Sequence, residues 1–117
     1  MFEKDMRLAL LLDYYGDLLS ERKREIMEMY YCEDLSLSEI AENTGISRQG
    51  VRESIKKSEN ELFMLESKLH LAQRFEALRR RCAYEAVQIE SAAEALSDGA
   101  SKESLLRSAS FLKSLPI

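Results

Sequence analysis

The sequence predicts an all-α protein, an N-terminal helix-turn-helix followed by long C-terminal helices. Three observations carry that expectation. One Pro and four Gly punctuate 117 residues, and no strand-like alternation of any length occurs. The stretch 36–57, SLSEIAENTGISRQGVRESIKK, has the layout of two short helices about a tight turn. From Val51 to Asp98 there is neither Gly nor Pro.

In chain order, residues 4–15 (KDMRLALLLDYY) form the first helix, with Leu8, Leu11, Leu12 and Tyr15 on one side and Leu19 just beyond. Gly16 loosens its end. The Tyr14-Tyr15 pair reads as core packing with surface hydroxyls rather than as a base-stacking platform. Ser20 is the N-cap candidate of the next helix, ERKREIMEMYYCED, whose buried side is Ile26, Met27, Met29, Tyr30 and Tyr31. Met27 and Met29 fit as core filler. Arg22-Lys23-Arg24 is bracketed by Glu21 and Glu25 and reads mainly as a solvated helix start, phosphate contact being the lesser alternative. Glu33-Asp34 ends this helix and Leu35 leads out of it.

Ser36 and Glu39 then have the spacing of a capping box. Leu37, Ile40 and Ala41 make an apolar stripe, and small Ala41 allows close helix crossing. Gly45 supplies the left-handed residue that stops the helix, within the turn Thr44-Gly45-Ile46. Ser47 caps the second helix, whose Val51 and Ile55 face inward. Arg48, Gln49, Arg52, Glu53, Lys56 and Lys57 are left outward, the arrangement of a groove-reading helix. The bland alternative is an αα-hairpin with a solvated charged face.

This stretch resembles region 4 of bacterial sigma factors and, more closely, the YlxM family of small bacterial proteins. The resemblance rests on Tyr30-Tyr31, Glu33-Asp34-Leu35-Ser36-Leu37, Glu39-Ile40-Ala41-Glu42, Ile46-Ser47-Arg48-Gln49 and the polar-to-leucine run ending at Leu62. With the N-terminal helix it covers roughly residues 1–70. It implies a cytoplasmic helix-turn-helix protein that binds nucleic acid, and a link by operon context to the signal recognition particle pathway. Gly50 departs from the pattern, since the family usually carries Ala there. Glycine costs up to ~1 kcal/mol at such a site. Either the helix start is looser or the backbone approaches something closely, and the first is favoured.

A single helix over residues 48–97 would extend ~75 Å, about twice the width of a domain this size. The segment therefore breaks or is covered by another chain. Val51, Ile55, Ser58, Leu62, Leu65, Leu69 and Ala72 keep a 3/4 spacing that resembles a short coiled-coil seam. Beyond Ala72 the phase shifts to Phe75, Leu78, Cys82, Ile89, Ala93 and Leu96. Homodimerisation is favoured over packing of the stripe on the chain's own N-terminal core. Residues 1–66 form the helix-turn-helix domain in this scheme, and 67–117 a C-terminal extension that pairs the subunits. Ser97–Ser101 is a helix stop, turn and new cap, and a last helix runs over 102–114 with Leu105, Leu106, Ala109, Leu112 and Leu115 on one face. Pro116-Ile117 follows.

Charge distribution sharpens the functional expectation. The net charge is −4, which argues against a protein held on nucleic acid by bulk electrostatics. Residues 1–46 carry 5 basic and 11 acidic side chains, but residues 47–58 carry 4 basic and 1 acidic. The one positive segment coincides with the proposed reading helix. Phosphate attraction is then local and easily lost to salt. Cys32 and Cys82 match no metal spacing and are expected reduced. Phe2-Glu3-Lys4-Asp5 before the short apolar run Leu8–Leu12 does not read as a leader, and no run reaches membrane-spanning length. His70, the only histidine, has no partner pattern beside it and reads as a surface or boundary residue. Arg79-Arg80-Arg81 suits phosphate contact and solvated pairing with Glu76 and Glu85 equally.

An enzyme is not indicated: no activated nucleophile, carboxylate dyad, metal cluster or phosphate-cradling loop is present. No cofactor, metal, membrane or small-molecule substrate is expected. A nucleic-acid-binding regulator is the leading expectation, with double-stranded DNA as target. Arg48 or Arg52 suits guanine and Gln49 adenine, Glu53 faces base edges beside them, and Lys56 and Lys57 suit phosphates. The alternative is a protein-interaction module that contacts signal recognition particle RNA or protein without binding DNA, its helix-turn-helix an inherited scaffold.

Overall fold

A computed structural model describes residues 4–115; Phe2-Glu3 and Pro116-Ile117 lie outside the described residues. Within that range the chain is all-helical: α1 (Arg7–Tyr15), a 3-10 turn (Gly16–Leu18), α2 (Glu21–Tyr31), α3 (Leu37–Thr44), α4 (Arg48–Leu69), α5 (Leu71–Glu94) and α6 (Ala100–Lys113). It divides into two compact units, one through Ala72 and one from Gln73.

In the first unit, α4 is the common wall against which α1, α2 and α3 all pack. Leu8, Leu11, Leu12 and Tyr15 of α1, Ile26, Met27, Tyr30 and Tyr31 of α2, and Ile40 of α3 close on Val51, Ile55 and Leu62. Full burial of side chains of this size stabilises by roughly 1.5–3 kcal/mol each, which is why so short a set of helices holds together. Ser58 lies in the same stripe, fully buried, and its Oγ makes no hydrogen bond. Polar ties at the margins fix the register of α2 on α4: Tyr31 donates its hydroxyl to Glu59, and Lys23 pairs with Glu61. At the start of the chain, Lys4 Nζ donates to the Tyr30 carbonyl at 2.8 Å and pairs with Asp34.

The stripe expected as a seam between chains is therefore largely used within one chain. Val51, Ile55, Ser58, Leu62 and Ala72 are buried in this unit, while Leu65 is half-buried and Leu69 exposed. The physical reason is that α1–α3 already present a complementary apolar surface, with no second chain needed to cover it.

The long Gly- and Pro-free segment breaks at His70, which takes a left-handed conformation (φ 55°, ψ 27°) and ends α4. A non-glycine residue pays about 1–2 kcal/mol for that conformation, so something must hold it. Tyr15 and Glu66 do. The buried Tyr15 hydroxyl donates to Glu66 Oε1 at 2.6 Å and accepts the Leu71 N–H at 3.1 Å, while the Ala72 N–H donates to the same Glu66 oxygen at 3.1 Å. Two amides at the start of α5 are thus satisfied by side chains from α1 and α4. Burial first, then the adjacent Glu66 carboxylate, raises the Tyr15 pKa above its ordinary value and keeps the phenol a donor.

Several element ends differ from expectation. α2 ends at Tyr31 rather than at Glu33-Asp34, where Asp34 is left-handed at φ 56°. α1 begins at Arg7 rather than Lys4, because Asp5 turns back to accept the Arg7 N–H at 3.0 Å and Lys4 reaches to α2. α6 begins at Ala100 rather than after Ser101. Gly99 adopts backbone angles open chiefly to glycine (φ 157°, ψ −175°), and its carbonyl already accepts the Glu103 N–H.

In the second unit, Ala86, Ala93 and Ala109 are fully buried, and Lys113 pairs with Glu90 at 2.7 Å. Among the described residues of this unit, only alanines are sealed. Phe75, Cys82 and Ile89 are half-buried, whereas Leu78 (47%), Tyr84 (57%) and Phe111 (64%) remain exposed.

Tyr15→Phe removes the hydroxyl and strands the Leu71 amide. Urea unfolding should show a loss of about 1–3 kcal/mol, with amide exchange quickened first at Leu71. Wild-type stability in Tyr15→Phe would sink the view that this hydroxyl holds the α4–α5 break.

Candidate nucleic-acid interface

The local structure of α3 and α4 follows from three small residues. Ser36 Oγ accepts the Glu39 N–H at 3.1 Å and Glu39 Oε1 accepts the Ser36 N–H at 3.2 Å, a complete capping box. Gly45, left-handed at φ 76°, returns its N–H to the Ala41 carbonyl and stops α3. Ser47 Oγ then accepts the Gly50 N–H at 3.0 Å and opens α4. Ile40, buried completely, anchors α3, so the turn between the helices is fixed from both sides.

With Val51, Ile55 and Ser58 turned into the core and Gly50 and Ser54 half-buried beside them, the opposite side of the first turns of α4 faces outward. Arg48, Gln49, Arg52, Glu53, Lys56 and Lys57 are all exposed, so the sequence-derived candidates share the outer side of one helix. Gln49 Nε2 donates to Glu53 Oε1 at 3.4 Å, a long contact that a base edge can replace. Among the described residues, Arg48, Lys56 and Lys57 enter no ion pair. The guanidinium of Arg48 and the ammonium groups of Lys56 and Lys57 are therefore left to solvent.

Gly50 does not loosen the helix start. Its amide carries the cap bond, and a Cβ built there would meet the Ser47 Oγ at 3.2 Å and Ile46 side-chain atoms at 3.7 Å.

One basic residue outside α4 joins this region. Arg22 of α2 donates from Nη2 to the Thr44 carbonyl at 2.9 Å, at the end of α3. Its neighbours in the basic run point elsewhere, Lys23 to Glu61 and Arg24 to Asp17. The sequence signal was present in the run but masked by Glu21 and Glu25. In the second unit, Arg79 pairs with Glu76 and Arg81 with Glu85, while Arg80 is exposed. Among the described residues no group of three or more His, Cys, Asp or Glu could hold a metal ion, and no helix is long and apolar enough to cross a membrane.

Two capped helices at a glycine turn, with the second exposed along one side and sealed along the other, define a helix-turn-helix protein. A family model described as "Putative helix-turn-helix protein, YlxM / p13 like" matches residues 2–101, and the chain belongs to that family. Among curated proteins it is similar to a UPF0122 protein of Oceanobacillus iheyensis, 47% identical over 76 residues (65% of this chain, 72% of the relative). A UPF0122 protein of Clostridium kluyveri is 49% identical over 69 residues, 59% of this chain and 62% of the relative, so the chain spans less than two thirds of that relative's length. One of Bacillus thuringiensis is 45% identical over 80 residues, 68% of this chain and 73% of the relative. The family is described by its helix-turn-helix and not by an enzymatic activity.

Gly50→Ala should stabilise the fold, by less than ~1 kcal/mol, because the gain in helix propensity is offset by the small retreat required of the Ser47 hydroxyl. Chemical denaturation measures it, and a destabilised Gly50→Ala would mean that the cap cannot yield.

Proposed function

We propose that this protein is a cytoplasmic regulator that binds double-stranded DNA with the start of α4 in the major groove. The observation that carries the proposal is the placement of Arg48, Gln49, Arg52, Glu53, Lys56 and Lys57 on the exposed side of a helix whose back is buried. Arg48 or Arg52 offers the bidentate fork that matches guanine O6 and N7, Gln49 matches adenine N6 and N7, and Glu53 accepts from cytosine N4. Lys56 and Lys57, further along the helix, contact phosphates and position it without specifying sequence. The overall acidity of the chain keeps attraction to DNA local to this helix, so affinity is modest and falls steeply with salt.

In this proposal residues 67–117 pair two subunits, presenting two reading helices to two half-sites. The exposed Leu78, Tyr84, Val87, Leu96 and Phe111 of the second unit support pairing, since a helix pair that seals only alanines leaves its larger apolar groups in water.

The second reading is a module that contacts RNA or protein of the signal recognition particle. It follows from the resemblance noted above, and the 11 acidic against 5 basic side chains of residues 1–46 favour a basic partner.

Salt-titrated fluorescence anisotropy, with a random-sequence duplex and a structured RNA hairpin of the signal recognition particle type, discriminates these readings. Micromolar duplex binding that fades with salt supports the DNA role; tighter hairpin binding transfers the function to RNA; binding to neither leaves a protein partner. On a selected duplex, Arg52→Ala should cost about 1–3 kcal/mol and leave the fold intact. Unchanged affinity would remove Arg52 from the interface. Sedimentation equilibrium tests the pairing: a dimer is expected, and truncation after Ala72, where the first compact unit ends, should leave a monomer. A full-length protein that remains monomeric at the concentrations used for binding would overturn it.

A further inference from the structure

We propose that Arg22, on α2, is a DNA-phosphate contact that flanks the reading helix; the inference rests on the DNA-binding proposal above. Three features single it out. First, the fold separates the three members of the basic run: Lys23 pairs with Glu61 midway along α4 and Arg24 with Asp17, whereas Arg22 reaches the end of α3 at the turn. Second, its bond is to a neutral carbonyl, that of Thr44, so the full charge is kept. Among the described residues Arg22 pairs with no carboxylate, and its side chain is exposed. Four of its five N–H donors are left for another acceptor.

Third, the position is suited to a groove edge. The chain from Thr44 to Arg48 would reach about 14 Å if drawn straight, and the left-handed turn at Gly45 shortens it. The major groove is about 12 Å wide. With Arg48 and Gln49 inside the groove, a guanidinium held at Thr44 is near enough to them to meet a bordering sugar-phosphate strand. Planar, bidentate Arg is matched to a phosphate there. The Thr44 bond also holds the side chain in place before DNA arrives, so less rotamer freedom is lost on contact.

A purely structural role, as a cap on the last carbonyls of α3, would place Arg22 in the same position. Charge separates the two roles. Arg22→Gln keeps an amide donor for the carbonyl but removes the cation, and Arg22→Lys keeps both. On the duplex, Arg22→Gln should bind about three- to tenfold more weakly near 100 mM salt, with the slope of log K against log salt reduced by about 0.9. Arg22→Lys should retain the wild-type slope. Urea unfolding of the same samples reports any damage to the fold. Wild-type slope in Arg22→Gln, whether or not affinity or stability falls, would overturn the proposal. If Arg52→Ala weakens duplex binding and Arg22→Gln does not, Arg22 is a cap and the groove-reading proposal stands. If the wild-type protein binds no duplex, both fall.

Discussion

Burial of Val51, Ile55 and Leu62 against α1, α2 and α3 ties the whole first unit to one side of α4. A helix that commits one side to a core has its opposite side fixed in direction as well, because side chains follow the helical period. The position of Arg48, Gln49, Arg52 and Glu53 is thus a consequence of apolar packing on the other side of α4. The cap at Ser47 adds a defined starting point, so the first outward residue is Arg48 and not a frayed end.

The same helix has to stop. Nothing in its composition stops it, since the nearest glycine beyond Gly50 is Gly99. The stop comes from a tertiary hydrogen-bond set: Tyr15, fixed in the core, offers its hydroxyl to Leu71 and Glu66, and Glu66 accepts from Ala72. His70 takes the left-handed conformation between them. Core packing of α1 and termination of α4 are therefore coupled through one phenol, which contributes both apolar surface and a polar end.

Electrostatics follow the same division of labour. Acidic side chains of the first unit take up several of its basic ones, as in the pairs Lys4–Asp34 and Arg24–Asp17 at the surface and Lys23–Glu61 between α2 and α4. Basic groups that enter no such pair, Arg48, Lys56 and Lys57, gather on α4, with Arg22 beside the turn. A chain of net charge −4 can in this way present a positive strip. Its range is limited to about one Debye length, ~8 Å at physiological salt, which favours contact over long-range capture.

Much of the helix-turn-helix was legible in the sequence because its determinants are local. Ser36 with Glu39, Gly45 and Ser47 act within a few residues, and each cap stands where the spacing placed it. The outward position of the six α4 residues was equally legible, since helical periodicity and Val51–Ile55 fix it. Three features were decided only by tertiary structure. The stripe along α4 could serve a second chain or the chain's own core, and the match to α1–α3 decided it. The break at His70 depends on Tyr15, far away in sequence, and left-handed histidine has no spacing signature. Arg22 reached the turn because α2 and α3 pack together, whereas in the sequence its charge was hidden between two glutamates. Local hydrogen bonds and periodicity are written in neighbouring residues; which surfaces meet, and which distant side chain satisfies a helix end, is fixed only when the chain closes on itself.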